Sequence, residues 1–240
     1  MIRNVFFDLD GTMLPMNQED FIKIYFTELS RRFAPKLKLE SERIIKAVWK
    51  STGAMIKNDG SEPNINVFWK TFAKLHGKEV LKYIKEFDDF YSNEFCQCKS
   101  ACKYNPNVPE AIKVLKNKGY RLVAATNPIF PAVAINNRIG WAGVNTKVFD
   151  LITTYENSST CKPNPKFFTE ILGKINAEPD ECLMVGNDVD EDILASKEAG
   201  LESYLVTDCL INRNDTDISE FQSGSMRDFL TFARILPDVK

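Results

Sequence analysis

The chain has 240 residues, 31 Lys and Arg against 33 Asp and Glu, and a formal net charge of −2. That length supports a sizeable buried core, and 44% hydrophobic with 27% charged residues is an ordinary globular composition. The balanced charge lacks the basic footprint of a nucleic-acid or anionic-membrane binder, and no window approaches the roughly 18 apolar residues of a spanning helix. The opening segment, MIRNVFFDLDGT, has neither a secretory apolar region nor a cleavage site, so a cytoplasmic location is expected.

Residues 3–9, RNVFFDL, are a compact β-favouring run that meets Asp8 at its end. Residues 17–98 then carry helical spacing with almost no strand pattern. Phe21, Ile24, Tyr25 and Leu29 form one set, and Ile44, Ile45 and Val48 a second. Val67, Phe68, Phe72 and Leu75, then Val80, Leu81, Ile84 and Phe87, continue it, with Gly53, Gly60, Pro63 and Gly77 as punctuation. A bundle of four or five helices is expected, its core packed by Phe21, Tyr25, Trp49, Phe68, Trp69 and Phe72. Met13, Leu14 and Met16 are read as a hinge within reach of substrate.

Pro109 opens a helix that ends at Gly119, and RLVAATN is an apolar run too short for another. Next come a helix over 130–139, a strand over 149–153, a helix over 165–176 and a strand over 182–186. A helix over 190–199, a strand over 203–206 and a helix over 226–235 complete the series, with 211–225 as a polar loop. Alternation of strand and helix predicts an α/β fold with a parallel sheet covered on both faces. The core comprises residues 1–14 and 104–240, interrupted by a helical insert of residues 15–103.

Six cysteines occur, at 96, 98, 102, 161, 182 and 209. Cys96, Cys98 and Cys102 cluster, but their spacing is not that of a CxxC pair and no His completes a tetrahedral set. All six are read as free thiols. His76, at a helix end, is assigned no catalytic role.

In open α/β sheets ligands bind outside the carboxyl ends of the strands. Four such ends carry polar groups here: Asp8-Leu9-Asp10-Gly11-Thr12, Thr126-Asn127, Lys162-Pro163, and Gly186-Asn187-Asp188 with Asp190 and Asp192 beyond. Several acids around one point require a compensating cation, and hard, oxygen-seeking Mg²⁺ is the natural one.

DLDGT at Asp8–Thr12, Thr126, Lys162 and GNDVDED at Gly186–Asp192 appear in an order and spacing that resemble the haloacid dehalogenase superfamily. The resemblance covers both core segments, and the insert sits where that family carries a helical cap of the first type. It implies a Rossmann-like core and a Mg²⁺-dependent phosphatase acting on monoesters of small phosphorylated metabolites. Asp8 would be the nucleophile that forms an aspartyl-phosphate, and Asp10 the general acid and base. Thr126, Asn127 and Lys162 would hold the phosphate. Mg²⁺ would be held by Asp8, the Asp10 carbonyl and Asp188. Many relatives carry the acid where this chain has Asn187; here it falls one step later. Asp192 would then support the site, touching the ion or orienting Lys162, while Asp190 faces solvent. Two competing readings remain: a sugar phosphate mutase resembling beta-phosphoglucomutase, and a non-catalytic regulatory protein on the same scaffold.

Overall fold

The computed structural model describes residues 1–239. Among them six strands form one sheet: β1 (Asn4–Phe7), β2 (Arg121–Ala124), β3 (Leu151–Ile152), β4 (Cys182–Gly186), β5 (Glu202–Val206) and β6 (Ser223–Gly224). Their order is β3-β2-β1-β4-β5-β6, and every neighbouring pair is parallel. Strand side chains alternate between faces, and here both faces are apolar. Val5 and Phe7 pack on one side with Val108, Ile112, Ile139 and Phe229. Phe6 packs on the other with Phe167, Phe168 and Ile171. The helices α5 (Asn107–Asn117), α6 (Ala132–Trp141) and α9 (Met226–Ile235) supply the first layer; α7 (Lys166–Ile175) and the short α8 (Ala195–Glu198) supply the second.

Between β1 and α5 lies the helical segment: α1 (Gln18–Leu37), α2 (Ser41–Ile56), α3 (Asn64–His76) and α4 (Ile84–Ser92). Turns of 3₁₀ helix at Lys78–Tyr83 and Glu94–Ala101 complete it. Asn17 caps α1 by accepting from the Asp20 N–H at 3.1 Å, which satisfies one of the helix's orphan donors. The chain leaves the sheet and returns to it side by side. Asn17 N donates to Ala101 O (3.0 Å), and Lys103 N donates to Pro15 O (2.7 Å). The segment has its own aromatic core, in which Phe33 stacks on Phe87 with ring centres 3.8 Å apart.

Several expectations need correction. The 211–225 stretch is not all loop: Ser223–Gly224 pairs with β5, too short a strand to leave an alternating pattern. The α5 helix begins at Asn107, so Pro109 is its third residue, where a missing N–H costs nothing. The helix expected over 190–199 opens as a π turn, Val189–Leu194. Val80 to Phe87 do not share one helix, because 3₁₀ winding shifts the face at Tyr83; Leu81 is exposed, and so is Leu75. Trp49 is not in the bundle core but 50% exposed. Met13 and Leu14 do not reach the cavity: both are fully buried in the sheet's core, and Leu14 N bonds back to Leu9 O at 2.8 Å, whereas Met16 lines it. The six cysteines are free.

Phe33 is fully buried against the Phe87 ring, so Phe33→Ala leaves a cavity that rigid helices only partly close. Urea unfolding is expected to show a loss of about 3–5 kcal/mol.

Candidate active site

The sheet order reverses direction at β1 and β4, since β2 lies on one side of β1 and β4 on the other. Loops leaving two such strands diverge, which opens a crevice at their carboxyl ends. A cavity of about 350 Å³ lies there. Asp8, Asp10, Thr126, Asn127, Lys162, Asp188 and Asp192 all line it, so the four strand ends read from the sequence do converge.

At the centre is Lys162, 2% exposed. Its ammonium donates to Asp8 Oδ1 at 2.6 Å and to Asp192 Oδ1 at 2.7 Å. Asp192 is fixed in turn by its other oxygen, which accepts from the backbone N–H groups of Asn187 and Asp188, both at 3.0 Å. It therefore orients Lys162. The approach is close: a Cβ on Gly186 would lie 2.3 Å from the Asp192 carboxylate. Burial opposes the charge on Lys162, yet Asp192 and Asp8 outweigh it and raise the ammonium above its ordinary value. Burial raises the Asp192 carboxyl, with Lys162 pulling the other way and Asp8 adding to the rise.

Asp188 caps the π turn, its Oδ1 accepting from Asp190 N and Glu191 N at 3.0 Å each. Its Oδ2 takes the guanidinium of Arg213 at 2.5 Å. Asn187 braces the loop after β1. It accepts from Thr12 Oγ1 (2.8 Å) and donates to the Cys209 carbonyl (2.7 Å). Gly11 has φ +90°, and a Cβ there would lie 2.4 Å from the Asn187 amide, so only glycine fits this crossing. Asn127 donates to Lys162 O (3.3 Å) and Glu191 Oε2 (3.1 Å), leaving its own Oδ1 buried and unpaired. Thr126 is buried, and its carbonyl accepts from Thr153 at 2.6 Å. Asp190 turns away to Asn214, at 3.0 and 3.1 Å.

Three participants escaped the sequence reading. Asp10 pairs through Oδ2 with Arg138, a fully buried arginine whose guanidinium lies 4.5 Å over the Phe130 ring. Asp10 Oδ1 is buried without a partner. Burial foremost raises the Asp10 carboxyl; Arg138 opposes the rise and Asp8 adds to it. A signal for Arg138 existed: it falls on the buried stripe of α6 with Ala134, Ile135 and Ile139. Glu191, also raised by burial, lay unremarked within the acidic run. Arg213 sits in an aperiodic polar loop that carries no such signal.

The donor set suits Mg²⁺. Asp8 and Asp188 are nearly buried carboxylates facing one cavity, and the pull they exert on a cation is visible in the guanidinium drawn onto Asp188. Among the described residues no three His, Cys, Asp or Glu side chains form a metal-holding set. Mg²⁺ needs no such set, since it is held by one or two carboxylates with water and other oxygens.

The family model for haloacid dehalogenase-like hydrolases matches residues 2–200. A glyceraldehyde 3-phosphate phosphatase of Methanothermobacter thermautotrophicus is 28% identical over 211 residues, 86% of each chain. The pyrophosphatase PpaX of Bacillus mycoides is 25% identical over 209 residues, 86% of this chain and 84% of that one. In fold, the chain resembles the crystal structure of a HAD phosphatase from Thermococcus onnurineus. The TM-score is 0.59 at 19% identity, over 99% of this chain and 100% of that one.

In Asp192→Asn one side-chain atom must become an N–H₂, which faces either Lys162 or two backbone N–H groups. Chemical denaturation is expected to show a loss of about 1–3 kcal/mol, while Asp190→Asn changes stability by less than about 0.5 kcal/mol.

Proposed function

The chain belongs to the haloacid dehalogenase-like hydrolases, and from that premise we infer a phosphoric monoester hydrolase that works through a covalent phosphate on Asp8. The observation that carries this reading is the ammonium of Lys162 clamped between Asp8 and Asp192 on the floor of a cavity that Asp10 and Asp188 also line. A relative named as a glyceraldehyde 3-phosphate phosphatase supports the ester class, and one named as a pyrophosphatase supports phosphoryl transfer to water.

Lys162 neutralises Asp8 without burying its second oxygen in a salt bridge, which leaves that oxygen as the nucleophile. It attacks phosphorus, the bond from phosphorus to the ester oxygen breaks, and Asp10 gives its proton to the departing alkoxide. Arg138 holds Asp10 by Oδ2, so the unpaired Oδ1 is the oxygen available to carry that proton. The raised carboxyl of Asp10 suits an acid at neutral pH. In the second half, Asp10 takes a proton from water as the water attacks phosphorus and frees Asp8. Lys162, Thr126 and the backbone N–H of Asn127, whose side-chain amide is spent on Lys162 O and Glu191, hold the equatorial oxygens through both halves. Asp8, Asp188 and the Asp10 carbonyl would hold Mg²⁺, which supplies charge neutralisation to the phosphoryl group when bound.

The helical segment acts as a cap that excludes bulk water and limits substrates to small metabolites. A cytoplasmic setting belongs to the same proposal, supported by six free cysteines. Among the described residues no helix is long and apolar enough to cross a membrane.

Asp8→Asn is expected to retain a native circular dichroism spectrum while phosphate release falls at least about 10³-fold. Near-normal release in that variant would falsify the covalent route. Excess EDTA is expected to silence the wild-type enzyme and added Mg²⁺ to restore it; undiminished release in chelator contradicts the metal assignment.

A further inference from the structure

Opposite the charged floor, the same cavity is walled by apolar side chains of the helical segment. Phe21, Ile22, Phe26, Val48, Trp49 and Ile56 form this wall. Three of them, Ile22, Trp49 and Ile56, are 40%, 50% and 41% exposed. Neither the bundle core nor the sheet core absorbs these groups, and they gather at one opening instead of scattering over the surface. Large apolar side chains grouped in this way mark a binding surface.

The polar content of the wall is small. The hydroxyls of Tyr25 and Tyr91 lie 2.9 Å apart and satisfy each other. Gln18 and Thr52 are the other polar side chains that the segment brings to the cavity, and among the described residues none of its Lys, Arg, Asp or Glu side chains lines it. On the floor, Lys162 and Arg213 are each paired with a carboxylate. A second anionic group carried against the wall would meet no cation there, and a polyol would lose water from several hydroxyls against aromatic rings with few partners in return.

We propose that the substrates are phosphate monoesters of apolar alcohols, branched-alkyl or aromatic, with the phosphate on the Lys162 floor and the alcohol against Trp49 and Phe26. This rests on the phosphatase reading of the floor and narrows it. It sets the chain apart from relatives named for glyceraldehyde 3-phosphate and pyrophosphate, whose names describe polar or doubly charged compounds. An apolar alcohol displaces water from the wall on binding, and a site with few spare polar groups discriminates through the desolvation it imposes on hydroxyls and acids.

The test compares phosphate release by the full-length enzyme in Mg²⁺ from 2-phenylethyl and 3-methylbutyl phosphates with release from glycerol 3-phosphate, glucose 6-phosphate and phosphoglycolate. All are esters of aliphatic alcohols, so differences in leaving-group reactivity are small. The apolar pair is expected to show at least about tenfold higher kcat/KM, chiefly through KM. Trp49→Ala, at a half-exposed position that the fold does not need, is expected to shrink that ratio about fivefold. Equal or better turnover of the polar esters overturns the proposal. Calorimetric binding of the same esters to Asp8→Asn protein in Mg²⁺ separates it from the reading beneath it. Tighter binding of the apolar esters, with no release by the wild type, removes the phosphatase and keeps the apolar site. Equal binding of all the esters removes the apolar site whatever the turnover.

Discussion

The ammonium of Lys162 between Asp8 and Asp192 is the contact on which the rest of the site depends. It joins residues 154 and 30 positions apart, and all three are nearly or fully buried. A buried charge without a partner costs several kcal/mol, so each member is held in place by the other two. Asp192 transmits this constraint to the backbone through the N–H groups of Asn187 and Asp188. Those same residues place the Asp188 carboxylate and, through Thr12, brace the loop that carries Asp8 and Asp10. A lysine, a carboxylate and a two-residue stretch of backbone therefore set the geometry of four loops.

Around this clamp the carboxylates outnumber what Lys162 can neutralise. Asp10 draws on Arg138 and Asp188 on Arg213, while Glu191 meets only an amide. The two arginines differ in cost. Arg138 is fully buried on the apolar stripe of α6, with the Phe130 ring beneath it, and it cannot leave without exposing that stripe. Arg213 is on an exposed loop, and its pairing with Asp188 is weakened by solvent. On the proposed reading the first would be a fixed part of the acid–base apparatus, and the second a cation that a divalent ion at Asp188 would displace at little cost.

The charged floor and the apolar wall come from different parts of the chain and obey different rules. The floor is assembled from strand ends, where backbone geometry puts polar groups at the sheet's edge whatever the substrate. The wall is assembled from side chains of α1 and α2, of which Phe21, Phe26 and Val48 also pack in the bundle core while Ile22, Trp49 and Ile56 are left exposed. On the proposed reading this division would let the floor keep its chemistry while the wall, here aromatic and aliphatic, selects the alcohol.

Much of this was legible in the sequence. The compact apolar run of β1 and the alternation of strand with helix are local patterns, and they determined the α/β class and the positions of Asp8, Asp10, Thr126 and Asp188 at or just beyond strand ends, with Lys162 in the loop after β3. The acids' convergence also followed, because strand ends in a parallel sheet share an edge. Only the tertiary structure decided which charge meets which. The pairing of Asp10 with Arg138, the drawing of Arg213 onto Asp188, and the placement of Trp49 at a cavity mouth each depend on elements distant in sequence. Hydrophobic spacing registers that a side chain belongs on a face, but it carries no record of what that face will meet; that is fixed by sheet order and by the docking of one helix layer on another.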